Sequence, residues 1–319
     1  MIVKYGADLV RLWVASSDYQ VDVRVSDKIF GQLSETYRKV RNTIRILMAN
    51  LGTAETDFDP DRDMLPADEL YEIDKWALSR LNSLVKTVRQ AYSDFEFHAV
   101  YHEINNFCTV DMSKLYVDIT KDRVYVENKD SKARRSAQTA MYIIVNALTR
   151  MLAPVLSYTA EEVWLYMNHA AADNAKSVFL NDLPEYDKAL DFADICGKYE
   201  SLFEHRDGVM KALELARAEK IIGKSLEADV TVYAPEGSEA MKLFREFAPI
   251  LPTVFIVSKV ELSSENAPEG AYIDEENGIA VRVAVSEGEK CVRCWMQKDD
   301  CTVDEDGQHL CARCRKALC

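Results

Sequence analysis

The chain has 319 residues, of which 48% are apolar and 29% charged, and a formal net charge of −14 at pH 7. That length suffices for a sizeable core in two domains, or in one large domain with appendages. The acidic balance excludes indiscriminate nucleic-acid binding through the bulk field, so any nucleic-acid partner must meet local basic stripes. No run of about twenty uncharged apolar residues appears, and MIVKYGADLV lacks the apolar stretch of a signal peptide; a cytoplasmic protein with no membrane partner is expected.

In chain order, DKIFGQLSETYRKVRNTIRILMANL comes first, with apolar Leu33, Tyr37, Val40, Ile44, Leu47 and Leu51 at helical spacing. Arg38, Arg41 and Arg45 fall on an adjacent stripe, which gives a helix with one buried and one cationic face. The acidic, turn-rich GTAETDFDPDRDMLPADE ends it. Further helices are predicted from Pro66 to about Tyr92 and over roughly 97–120, 132–153 and 159–169. The last of these opens on Thr159-Ala160-Glu161-Glu162, which reads as a capping box. Residues 1–190 therefore read as a helix bundle.

Past NDLPEYDKALDF a long helix is expected from about Ala193 to Ile222, with Arg206, Arg217, Lys220 and Lys224 along one basic face. Strand-like EADVTVYA, PTVFIVSKVEL and GIAVRVAVSE follow, with SEAMKLFREFAP as a helix between the first two. Residues 191–286 thus make a small α+β unit, and 287–319 a segment too short to hold a core of its own. The fold class expected is mainly α: a helix bundle, a small α+β domain and a short cysteine segment.

That last segment, CVRCWMQKDDCTVDEDGQHLCARC, carries the strongest chemical signal. Two Cys-x-x-Cys turns each offer two thiolates, and the ribbon between them can fold back to close a tetrahedral site. Cys291, Cys294, Cys311 and Cys314 are the expected ligands of one structural zinc. Iron would accept the same four thiolates, and two disulfides are the alternative without metal. Cys301 and His309 lie in the ribbon, but a closed four-cysteine site needs neither. Such a site leaves no open coordination position for water, so its role is to hold a fold. Lys290, Arg293, Lys298, Arg313, Arg315 and Lys316 surround the knuckles. They either offset the charge of the site or, with Trp295 as a stacking surface, contact RNA.

Two decoys can be set aside. Gly223-Lys224-Ser225 resembles the end of a phosphate-binding loop, yet Ala218 stands where that loop needs glycine. Met112-Ser113-Lys114 resembles a synthetase ATP loop but lies inside a helical pattern. No Ser/His/Asp or Cys/His set is suggested by spacing, so no catalytic residue is assigned.

YGADLVRLWVASSDYQVDVRVSD, YRKVRNTIRILMANL, DFEFHAVYHEINNFC, YVDITKDRVY, RRSAQTAMY, LAPVLSYTAEEVW and the tail CVRCW with CARC, in this order, resemble the C-terminal half of the bacterial isoleucyl-tRNA synthetases, class I aminoacyl-tRNA synthetases. The resemblance covers nearly the whole chain and is weakest between about 235 and 280. It implies an anticodon-binding helical domain over 1–190, a junction domain over 191–286 and a zinc finger over 287–319. It also implies tRNA(Ile), through its anticodon stem-loop, as partner, together with the N-terminal catalytic and editing domains of the same enzyme. The family's ATP loop falls upstream of Tyr5-Gly6-Ala7-Asp8, so this chain alone is expected to be catalytically inactive. Anticodon reading needs cations for phosphates and planar groups for splayed bases; Arg38, Arg41, Arg45, Arg217, Lys220, Lys224, Arg293, Trp295 and Arg313 supply those types. Two other readings are a DNA-repair glycosylase with a related finger, disfavoured because Ile2 stands where a nucleophilic proline is needed, and a zinc-stabilised interaction module unrelated to aminoacylation.

Overall fold

The computed structural model describes residues 1–318 and divides into two compact units, one of residues 1–118 with 129–193 and the other of residues 119–128 with 194 onward. The first is all helix. Asp27–Ala49 is capped by Ser26, whose hydroxyl accepts from the Ile29 N–H at 3.3 Å, and it buries Phe30, Leu33, Val40, Ile44 and Leu47. Lys132–Leu152 is buried on most of its surface, which makes it the central helix around which Asp27–Ala49, Glu72–Ser93 and Ser157–Tyr166 pack. Polar groups inside this bundle are satisfied in pairs: the fully buried Asp74 carboxylate accepts from the Tyr116 hydroxyl at 2.8 Å and the Ser136 hydroxyl at 2.5 Å.

The helix expected over 97–120 runs on to Val126, and its middle, Phe107–Tyr116, is wound as a π-helix. The Thr43 hydroxyl sits against the wider turn, 3.2 Å from the Cys108 carbonyl and 3.1 Å from the Ser113 hydroxyl. Met112-Ser113-Lys114 lies within this stretch, a packed helix and not a mobile loop.

The capping box at Thr159 is not formed. The helix begins at Ser157, and the Asp8 carboxylate accepts from the backbone N–H groups of Tyr158 (3.2 Å) and Thr159 (2.7 Å) and from the Thr159 hydroxyl (2.5 Å). An ionised carboxylate is the stronger acceptor for first-turn N–H groups, so the hydroxyl becomes a donor, and Glu162 is left to face Arg41. Asp8→Ala strands those buried donors and is expected to cost about 2 kcal/mol. A urea titration of the bundle reads this directly; a change below about 0.5 kcal/mol would mean that water caps the helix as well.

In the second unit the helix Ala193–Ala218 lies beside a four-stranded sheet. The strands are β1 (Ala228–Tyr233), β2 (Lys259–Ser263), β3 (Tyr272–Asp274) and β4 (Ile279–Val285), in the order β2-β1-β4-β3. β1 and β2 are parallel, with Val230 opposite Val260, and β4 is antiparallel to β1 and to β3. A parallel pair needs a crossover, and Glu239–Phe247 and Leu251–Phe255 provide it. PTVFIVSKVEL is therefore not one strand: Pro252 starts a short helix, Ile256 turns left-handed, and the strand proper begins at Lys259.

The long helix also ends early. It stops at Ala218, Lys220 takes a left-handed φ of 61°, and the Ile221 N–H returns to the Ala216 carbonyl. Arg206 is buried, with its Nε donating to the Val254 carbonyl at 2.8 Å. The single basic face expected along Arg206, Arg217, Lys220 and Lys224 is therefore broken. Beyond the sheet, β5 (Glu289–Lys290) pairs with β6 (Gln297–Lys298), β7 (Thr302–Val303) pairs with β8 (His309–Leu310), and a helix over Ala312–Leu318 closes the segment.

Candidate metal centre and basic groove

The two hairpins bring Cys291, Cys294, Cys311 and Cys314 together, all buried, with their sulfur atoms within 4.8 Å of one another. They are free thiols, and the Cys294 and Cys311 sulfurs stand 3.9 Å apart, well beyond the roughly 2.05 Å of a disulfide. In the first knuckle the Cys291 N–H donates to the Met296 carbonyl and the Trp295 N–H to the Cys291 carbonyl, each at 2.9 Å. The second opens the terminal helix, where the Arg315 N–H donates to the Cys311 carbonyl at 3.0 Å.

Burial works to push the Cys291 thiol up, but backbone N–H groups around it outweigh that and hold it at about 6. Burial, with the neighbouring Cys311 and Cys291 charges, pushes Cys294 up to about 12. Without a cation the quartet thus ionises unevenly. A divalent metal at the centre would allow all four thiolates, and the donor set fits one. Cys301 packs against the cluster from outside the quartet, its thiol donating to the Glu289 carbonyl at 3.2 Å, and His309 Nδ1 lies 3.8 Å from a Glu289 carboxylate oxygen.

The knuckle cations divide. Arg293 donates through Nε (3.0 Å) and Nη2 (2.8 Å) to the Val126 carbonyl. Arg313 makes a two-pronged pair with Asp122 (2.6 and 2.9 Å) and lies 3.8 Å from Glu127; burial alone would lower its pKa, but the Asp122 carboxylate raises it above the ordinary value. Both guanidinium groups are therefore engaged within their own unit. Trp295 points outward, 60% exposed, on a left-handed φ of 63°.

In the first unit, Arg38 pairs with Glu35 on its own helix and Arg41 lies 3.5 Å from Glu162. Arg45 has no ion-pair partner among the described residues. Arg41, Arg45 and Met48 on Asp27–Ala49 face Glu162 and Tyr166 on Ser157–Tyr166 across a groove of about 330 Å³ floored by Ile44 and Val163. Tyr166 is 79% exposed. The sequence reading missed Glu162 and Tyr166. The one available signal was the pair of apolar residues, Leu165-Tyr166, on the outer face of a helix already amphipathic through Val163 and Trp164. Arg217, Lys220 and Lys224 are exposed, and the Lys224 N–H caps onto Glu227 at 3.1 Å.

Residues 74–232 match the model of the anticodon-binding domain of tRNA ligase, which sets the class of the bundle. Over nearly its whole length the chain is also similar to isoleucine–tRNA ligases: 48% identical to that of Caldanaerobacter subterraneus subsp. tengcongensis and 47% to that of Listeria innocua over 98% of the chain, and 45% to that of Syntrophotalea carbinolica over 100%. The chain belongs to the isoleucine–tRNA ligase family and corresponds to its C-terminal region. It spans 33% of the length of each of these curated relatives. A solved complex described as LeuRS-tRNA-LeuAMS from Agrobacterium radiobacter K84 matches 79% of this chain and 26% of its own, at 16% identity and a TM-score of 0.38, a likeness too slight to bear on fold or function. Neither the glycosylase nor the unrelated interaction module finds support in these similarities. No helix among the described residues is long and apolar enough to cross a membrane.

Proposed function

We propose that this chain is the tRNA-binding, anticodon-recognising part of an isoleucine–tRNA ligase, held together at its C-terminal end by one structural zinc. In the whole enzyme the ATP-dependent joining of isoleucine to tRNA(Ile) would belong to the N-terminal catalytic domain, and this part would supply affinity and discrimination. The observation that carries the reading is the groove between Asp27–Ala49 and Ser157–Tyr166. It sets two arginines beside an exposed tyrosine and a carboxylate on one rigid surface. The arginines suit phosphates, the phenol ring suits the face of an unpaired base, and the carboxylate can accept from a base amino group.

Arg38, Arg217, Lys220 and Lys224 would add phosphate contacts at the surface, and Trp295 a second stacking face. Arg293 would serve by fixing the knuckle that carries Trp295, and Arg313 by fixing the other. Zinc is the metal of choice for four buried thiolates closing a tetrahedral site, and a cytoplasmic setting would keep those thiols available to it.

Filter binding to tRNA(Ile) transcripts across a salt series tests the reading. Affinity should fall steeply with salt, as several released counterions require, and should weaken when the anticodon is exchanged for that of another tRNA. Equal affinity for the swapped tRNA would remove the claim of anticodon recognition. The same chain should show no isoleucine-dependent pyrophosphate exchange.

A further inference from the structure

A finger that folds by itself around a metal owes nothing to distant residues, yet this cysteine quartet is not enclosed by its own segment alone. Val126, 4% exposed, is part of the same buried cluster as the four cysteines, Met296 and Leu310. It lies far upstream in sequence, at the end of the helix Val117–Val126. Each knuckle reaches for that helix end through the residue inside its Cys-x-x-Cys turn. Arg293, between Cys291 and Cys294, holds the Val126 carbonyl with two N–H groups, and Arg313, between Cys311 and Cys314, forks onto the Asp122 carboxylate. The Asn128 amide also donates to the Ala317 carbonyl, at 3.5 Å.

The two grips differ in kind and act on different knuckles. Val126 Cα is the last in its helix, so its carbonyl lacks an onward helical partner and is free to accept from Arg293. Asp122 is the anionic counterpart: its carboxylate is 17% exposed, and it receives Arg313 in the paired geometry that a guanidinium makes and an ammonium does not. Groups that orient the surroundings of a metal ligand govern how long the metal stays.

We propose that Asp122 is a positioning residue of the metal centre: by holding Arg313 it docks the second Cys-x-x-Cys knuckle on the helix end at Val126, and metal retention depends on that clamp. The proposal rests on the zinc reading above, and its test separates the two. The full chain is loaded with Zn²⁺, its metal content is measured, and release to a chromogenic chelator is timed for the wild type and for Asp122→Asn, Arg313→Lys, the double variant, and Lys316→Ala as an exposed cation on the same helix. Asp122→Asn and Arg313→Lys should each release zinc about tenfold faster or more. The double variant should be no faster than the quicker single one, because both changes break one contact. Lys316→Ala should match the wild type.

Release within twofold of wild type for both single variants overturns the clamp while leaving the zinc reading intact. A wild-type chain that binds no zinc overturns the zinc reading itself, and the clamp with it. Should Asp122→Asn fail to fold, Asp122→Glu decides in its place: the retained carboxylate should keep release slow relative to Arg313→Lys, and equally fast release from both would overturn the proposal.

Discussion

Removing the metal with a chelator should unfold residues 287–318 and leave the helix bundle standing. The reason lies in what the segment has to bury. Its core is the four cysteines with Met296 and Leu310, against Val126; its strands are two residues long and its helix seven. Strands and helices of that size have no independent stability in water. Metal binding in isolated finger peptides contributes on the order of 10–16 kcal/mol, far more than so small an apolar core can supply. Trypsin gives a direct readout, since Arg293, Lys298, Arg315 and Lys316 lie in or beside the knuckles. These bonds should resist cleavage in the metal-loaded chain and be cut early in the stripped one, while sites in Lys132–Leu152 stay protected in both. About one zinc per chain by elemental analysis is expected at the outset. A stripped chain whose tail resists trypsin as before would remove the four cysteines from the role of ligands.

What could be read from the sequence and what could not follows from the range of the interactions. The face of Asp27–Ala49 is a local periodicity, and a cysteine knuckle is a local spacing, so both were visible in the residue order. The cap on Ser157–Tyr166 escapes the sequence because Thr-x-x-Glu is local too, whereas the group that wins, Asp8, comes from a helix 151 residues upstream. Arg206 and Arg217 look alike in a helical projection, but the first is buried and donates to the Val254 carbonyl of the short helix Leu251–Phe255, a contact far away in sequence. Arg293 and Arg313 looked like free knuckle charges for the same reason: their acceptors, at Val126 and Asp122, belong to a helix whose pattern gives no hint of the cysteines. The groove was half legible. Its arginines form a stripe that any helical wheel shows, but the tyrosine and carboxylate opposite belong to a second helix, and nothing in either segment states that the two lie side by side.

Reversing both groove arginines, Arg41→Glu with Arg45→Glu, should weaken tRNA(Ile) binding by on the order of 100-fold at physiological salt and lower the salt slope by somewhat less than two. Each arginine that neutralises a phosphate releases about one counterion, and a glutamate in its place adds repulsion, so the loss should be larger at 50 mM salt than at 200 mM. Both side chains are at the surface, and among the described residues only Arg41 of the two has an ion-pair partner, Glu162 at 3.5 Å with both groups about half exposed; an exposed pair of that kind contributes little to stability. The bundle should therefore melt as before, which separates lost affinity from lost fold. Tyr166→Ala distinguishes reading from holding. A stacked base is worth about 1–3 kcal/mol, so affinity should drop by roughly 5- to 150-fold while the salt slope stays unchanged. If the arginine pair and the tyrosine both leave binding within twofold, the groove is not where this chain meets RNA, and the exposed cations around Arg217 and Lys220 become the surface to test. If only the arginines matter, the groove holds the backbone without reading a base, and discrimination must come from another stacking face, with Trp295 as the exposed aromatic already held on a fixed knuckle.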